Sequence, residues 1–249
     1  MRSKIVLSVA VVLVSSACAT QRAASPVAAT PPAPAPAAGP QLSNDVKWVR
    51  MSAEYRALAR QAFAFASERL PELARGLPAE GWAVILDADE TVLDNSEYQR
   101  RLELSSAPFD EKGWEKWVNE RAAPAIAGAI EFTTLVHTRG GRVVIVTNRS
   151  QAACDATREN IKSAGIQADA VLCQPAGERD KNPRFQRVQN GTAVPGLPRL
   201  AVVAWVGDNI LDFPALAQST RDDSTALGEF GKRFFIIPNP MYGSWEHLK

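Results

Sequence analysis

AVILDADETVLDN, residues Ala83–Asn95, runs four apolar residues into four acids, Asp87, Asp89, Glu90 and Asp94. Carboxylates repel one another and resist burial, so their place at the end of an apolar strand calls for a ligand or a reaction. Further apolar runs follow, each set off by a helical or loop segment: RVVIVT (142–147), DAVLC (169–173), LAVVAWV (200–206) and RFFIIP (233–238). Together with WAVILD (82–87) they predict a parallel sheet covered on both faces, an α/β doubly wound fold. Asp87 and Asp89 then fall at the carboxyl edge of that sheet, where such folds bind ligands.

On either side of the first strand the pattern is helical. Trp48, Met51, Tyr55, Leu58, Ala62 and Phe65 recur at intervals of three or four, so residues 45–76 read as helix. Residues 150–164 read as a helix closed by Gly165. The connection 92–141, about fifty residues, is longer than one crossover helix needs. It includes an expected helix over 125–137 with Pro124 in its first turn. The expectation is a small helical cap formed by about 45–76 and 92–141, above the sheet's carboxyl edge.

The start of the chain has a different composition. MRSK is followed by the apolar run IVLSVAVVLV (Ile5–Val14), which suits the hydrophobic region of a secretory signal. SSAC then resembles a bacterial lipobox ending on Cys18, although Ser15 stands where such motifs carry Leu. Residues 1–17 are therefore read as a lipoprotein signal peptide with lipid attached at Cys18. An ordinary signal cleaved near ACA is the alternative. Ala19, in place of Asp, favours the outer membrane, with the protein facing the periplasm or the cell surface. The Ala/Pro-rich segment 18–41 reads as a tether, leaving 42–249 as the folded domain.

Charge and cysteines set further bounds. The formal charge of +1 at pH 7 becomes −1 without Arg2 and Lys4, which gives no footprint for nucleic acid. Cys154 and Cys173 read equally well as one disulfide or as two buried thiols.

The other strand ends bring further chemistry to the same edge. Thr147 ends the second strand, Lys181 follows the third, and Asp208 ends the fourth with Asp212 four residues on. A calcium loop fails, because Val92 and Tyr98 stand where it needs Gly and Glu. A glycosidase pair leaves Thr147 and Lys181 without a task. A carboxylate nucleophile with a hydroxyl, an ammonium and further carboxylates suits phosphoryl transfer through an aspartyl intermediate.

DADET, VVIVTN, Lys181 and GDNILD, in that order, resemble the four motifs of the haloacid dehalogenase (HAD) superfamily. DADETVLDNSEYQ, VGDNILDF and FGKRFFIIPNPMYGSWE are similar, more narrowly, to the bacterial lipoprotein acid phosphatases that act as 5′-nucleotidases, the class C acid phosphatases. The resemblance implies a Rossmann-type HAD-like fold and a Mg²⁺ cofactor. It implies Asp87 as nucleophile, Asp89 as acid and base, and Thr147 and Lys181 as phosphoryl contacts. It also implies Asp87, Asp89 (through its carbonyl), Asp208 and Asp212 as metal ligands. A small phosphomonoester is the expected substrate, a nucleoside 5′-monophosphate or, alternatively, a sugar phosphate. Asn148, Tyr242 and Tyr98 are the substrate-binding candidates, the tyrosines as stacking surfaces for a base. A homodimer through the cap is left open.

Glu90 and Asp94 read as acids complementing a helix N-terminus, or Asp94 as a group orienting a metal-bound water. Trp114 and Trp117 read as the cap's own core. His137 and His247, the only histidines, are too few for histidine-based phosphatases. CQPAGER (Cys173–Arg179) has the Cys-x5-Arg spacing of metal-independent cysteine phosphatases, which would make Cys173 the nucleophile. A binding module without turnover would have had little reason to keep both Asp87 and Asp89.

Overall fold

The computed structural model describes residues 41–248; the signal segment, Cys18 and the tether as far as residue 40 lie outside the described residues. Five parallel strands form one sheet in the order β3-β2-β1-β4-β5. They are β1 (Trp82–Leu86), β2 (Arg142–Ser150), β3 (Ala170–Gln174), β4 (Ala201–Gly207) and β5 (Phe234–Ile236). Every residue of β1 is buried, as a central strand covered on both faces requires. The strand order reverses beside β1, so the crevice between the ends of β1 and β4 is the expected place for a ligand.

Alternate residues of the central strands feed two cores. Val84, Leu86, Val143 and Ile145 face helices α2 (Ala53–Leu73), α5 (Ala129–Thr138) and α6 (Cys154–Ser163). Ala83, Ile85, Val144 and Val146 face α7 (Asn182–Asn190) through Phe185 and Val188. Helix α2 buries Ala59, Phe63, Ala66 and Leu70, a single stripe at helical spacing.

The expected helix over 45–76 is two helices, α1 (Asn44–Met51) and α2, parted at Ser52. The Ser52 hydroxyl accepts from the Tyr55 N–H at 3.0 Å and caps α2, so the chain turns there instead of continuing. Because its stripe is apolar, α2 lies on the sheet with α5. It is α1, α3 (Ser96–Ser105) and α4 (Glu111–Glu120) that gather around residues 94–98, through Arg50, Tyr98 and Trp117.

The helix expected from residue 125 begins only at Ala129. Residues 124–126 pair instead with the loop after β1: Pro124 O accepts from Asp94 N at 2.9 Å, and Ile126 N donates to Val92 O at 3.0 Å. An available backbone partner outcompetes one more helical turn, and Gly128 (φ 98°) makes the bend into α5.

Cys154, at the start of α6, and Cys173, in β3, form a disulfide. This settles the even choice left by the sequence. Their separation of 19 residues corresponds to about 3 kcal/mol of loop-closure stabilisation. The double variant Cys154→Ala/Cys173→Ala should therefore melt roughly 10 °C lower than wild type. A calorimetric scan showing no shift would contradict this assignment of the bond's contribution.

Candidate active site

Two strand ends and one helix start converge on a buried charge cluster. Asp87 follows β1 directly, and its N–H still bonds Val206 O of β4 at 3.0 Å, so the sheet fixes its backbone. Lys181 stands at the N-cap of α7 and is 4% exposed. Its ammonium donates to Asp87 Oδ1 at 2.5 Å and to Asp212 Oδ1 at 2.6 Å. Asp208 follows β4 and receives hydrogen bonds from Thr91 Oγ1 (3.2 Å) and Asn239 Nδ2 (2.9 Å).

Local chemistry explains the four-residue spacing of Asp208 and Asp212. Asn209 Oδ1 accepts from Leu211 N at 3.1 Å, and Asp212 Oδ2 accepts from Asn209 N at 2.9 Å. This reciprocal cap winds residues 210–212 into a single 3₁₀ turn that brings Asp212 back over the strand end. The fold-back works because residue 207 is glycine. A Cβ there would lie 2.3 Å from Asp212 Cβ.

Electrostatics in this cluster favour a bound cation. Burial pushes the Asp87 carboxyl above its usual range, with Lys181 pulling it back and Asp212 and Asp89 adding to the rise. Burial also raises Asp208 well above the ordinary carboxylate value, reinforced by Asp212 and Asp87. Burial works against the Lys181 ammonium, but the two carboxylates outweigh it and hold its proton on. One oxygen each of Asp87, Asp208 and Asp212 lies within 4.8 Å of the others. A hard, all-oxygen donor set fits a divalent cation of the magnesium or calcium kind.

The remaining expected residues take varied places. Asp89 is carried to the rim of the same edge, where Arg149 and Asn95 hold it. Thr147 is fully buried within β2, three residues before its end, and its hydroxyl accepts from Arg149 N at 3.1 Å. Asn148 is exposed, but its amide already bonds Arg179 O and Arg184 Nη2. Tyr242 is half-buried in a loop tied to the site through Asn239–Asp208 and through Ser244 Oγ, which donates to Asn209 Oδ1 at 2.7 Å.

Tyr98 corrects the expectation of an open stacking ring. It is 5% exposed and packs against Phe109, Trp114 and Trp117, because the small helical cluster needs its own core. Cys173 is 4% exposed and disulfide-bonded, which removes the thiolate that a cysteine phosphatase requires. Asp94 Oδ1 accepts from Ser96 N at 2.8 Å, at the start of α3 as expected. Glu90 differs. It is 1% exposed, has φ 54°, and braces the loop by accepting from Asn95 N at 2.8 Å.

Two buried arginines went unread in the sequence. Arg149 shares a strand face with Thr147, and that i, i+2 relation is the one signal that could have marked it. Arg184, 1% exposed, donates to Thr147 O and Asn148 Oδ1, both at 2.6 Å, and to the carbonyls of Glu178 and Asp180 at 3.4 Å. It thereby clamps the end of β2 to the loop that delivers Lys181.

The Gly207 contact gives a direct test. Gly207→Ala should force Asp212 away from Lys181, cost about 1–3 kcal/mol of stability and lower turnover at least about a hundredfold. Wild-type turnover in that variant would show that Asp212 need not sit where it does.

The comparisons with known proteins agree with this geometry. Residues 2–245 match the family model of the HAD superfamily, subfamily IIIB (acid phosphatase). The class C acid phosphatase from Bacillus anthracis, solved with tungstate bound, is 29% identical over 81% of this chain and 85% of its own, with a TM-score of 0.72. A second structure of that protein superposes with a TM-score of 0.71. Acid phosphatase 1 of Solanum lycopersicum is 26% identical over 64% of this chain, a match that spans 57% of the tomato protein's length. A stem 31 kDa glycoprotein of Glycine max is 26% identical over 82% of this chain and 70% of its own. With a family model matched along nearly its whole length and carboxylates, ammonium and hydroxyl on one sheet edge, the chain belongs to the subfamily IIIB acid phosphatases of the HAD superfamily.

Proposed function

We propose that this acid phosphatase is Mg²⁺-dependent, works through an aspartyl-phosphate on Asp87, and acts on nucleoside 5′-monophosphates. The observation that carries the chemistry is Lys181, buried and bonded to both Asp87 and Asp212 next to Asp208. Lys181 occupies Asp87 Oδ1 and steadies that carboxylate for attack on phosphorus. As the new P–O bond forms, the ester P–O bond breaks, and Asp89 gives its proton to the departing oxygen to release an alcohol. Water then attacks the phosphoryl group while Asp89 takes up its proton. The bond to Asp87 breaks and inorganic phosphate leaves.

Thr147 and Lys181 donate to the phosphoryl oxygens in this scheme, and Arg184 keeps both donors in register. Asp87, Asp208 and Asp212 would hold the Mg²⁺, with Asp89 adding its backbone carbonyl, and the ion would offset negative charge on the phosphoryl group and the carboxylates. Tungstate bound to the Bacillus anthracis relative is a tetrahedral oxyanion like phosphate, which supports a phosphate-sized site. Nucleotide preference rests on the family resemblance and on Tyr242, whose ring could stack a base for roughly 1–3 kcal/mol.

The proposal extends to location. A lipid on Cys18 would tether the enzyme to the outer membrane, facing the periplasm or the cell surface. The Cys154–Cys173 disulfide supports maturation in an oxidising compartment. Among the described residues no helix is long and apolar enough to cross a membrane.

Phosphate release from nucleoside 5′-monophosphates, sugar phosphates and an aryl phosphate tests the chemistry. Activity on nucleotides should vanish with EDTA, return with Mg²⁺ and be absent in Asp87→Asn. Turnover of sugar phosphates alone would remove the nucleotide claim, and activity that survives both EDTA and Asp87→Asn would remove the mechanism. For location, the wild-type chain should partition with membranes and Cys18→Ser should be soluble; equal partitioning would rule out the anchor.

A further inference from the structure

Arg149 is 1% exposed and lies outside the phosphoryl-transfer steps described above. Its side chain reaches across from β2 to the loop after β1. Nε and Nη2 donate to a single oxygen, Oδ1 of Asp89, at 2.9 and 2.8 Å. Asn95 Nδ2 adds a third donor to that oxygen at 2.8 Å. Asn95 is itself fully buried, and its orientation is fixed. Its Oδ1 accepts from Trp117 Nε1 at 2.8 Å and Arg149 Nη2 at 3.2 Å, two groups that can only donate. The ring of Trp114 covers the guanidinium at 5.5 Å. The amide and the guanidinium therefore have one arrangement each, and both end on the same carboxylate oxygen.

A carboxylate oxygen has two in-plane lone pairs, so three N–H donors leave Oδ1 no room for a proton of its own. Oδ2 makes no hydrogen bond among the described residues, and the Asp89 side chain keeps 18% exposure. We propose that Arg149 is a positioning residue for leaving-group protonation. With Asn95 it saturates Asp89 Oδ1, so that the proton is carried on Oδ2 and delivered from a fixed direction. The proposal rests on the reading of Asp89 as the general acid. Aligned delivery matters most for an alkoxide, which leaves poorly without a proton, and least for a nitrophenolate, which is stable as an anion.

The test is kcat/KM for an alkyl phosphate and for p-nitrophenyl phosphate, since kcat/KM covers the steps up to departure of the leaving group. Arg149→Gln should lose at least about a hundredfold with the alkyl ester and less than about tenfold with the aryl ester. Equal losses on both substrates, or none, would overturn the proposal, because a merely structural arginine lowers both together. Asn95→Ala removes the third donor and should skew the ratio in the same direction. It decides the matter if Arg149→Gln does not fold, as judged by circular dichroism. Asp89→Asn separates the two claims. If it leaves the ratio unchanged, the general acid is misassigned. If it skews the ratio while the Arg149 and Asn95 variants do not, only the positioning role fails.

Discussion

The Lys181 ammonium, held between Asp87 and Asp212 inside the protein, is the interaction on which the rest of the site depends. Three carboxylates meet there with one ammonium, Asp87 and Asp212 buried and Asp208 half-buried, and each would resist burial alone. Removing the lysine would leave Asp87 and Asp212 facing each other without compensation, so the same contact that steadies the nucleophile also makes its burial tolerable. The negative charge that remains is what a divalent cation would balance, and it ties metal binding to the integrity of the site.

The surrounding fold can be understood as the means of holding this cluster in register. Sheet hydrogen bonds fix Asp87, a single capped turn fixes Asp212, and Arg184 ties the end of β2 to the loop before Lys181. None of these supports moves with a side-chain rotamer at the surface. The rim is built differently. Asp89, Asn95, Arg149 and Trp117 form a polar chain that joins the sheet edge to the small helical cluster, so packing in α4 bears on the orientation of one carboxylate.

Much of this is legible in the amino-acid sequence, for a specific physical reason. In a parallel sheet covered on both faces, strands are continuous apolar runs, and the polar residue that ends each run marks the carboxyl edge. Asp87, Thr147 and Asp208 announce themselves in that way, and the strand boundaries follow to within a residue or two apart from β2, which runs on to Ser150. Arg149 and Arg184 do not, because an arginine in a polar stretch looks solvated until its partners are known. Arg149 meets Asp89 across 60 residues of sequence. Tyr98 misleads for the opposite reason: an aromatic in an inserted segment fits a stacking surface and a private core equally well, and only the neighbours Trp114 and Trp117 choose the core.

Chemical quenching during turnover tests the central claim most directly. Enzyme mixed with labelled substrate and stopped in acid should carry up to one phosphoryl group per chain. That group should be released by hydroxylamine and map to the peptide containing Asp87. A quenched enzyme with no covalent phosphate, or with label on any other residue, would contradict the account.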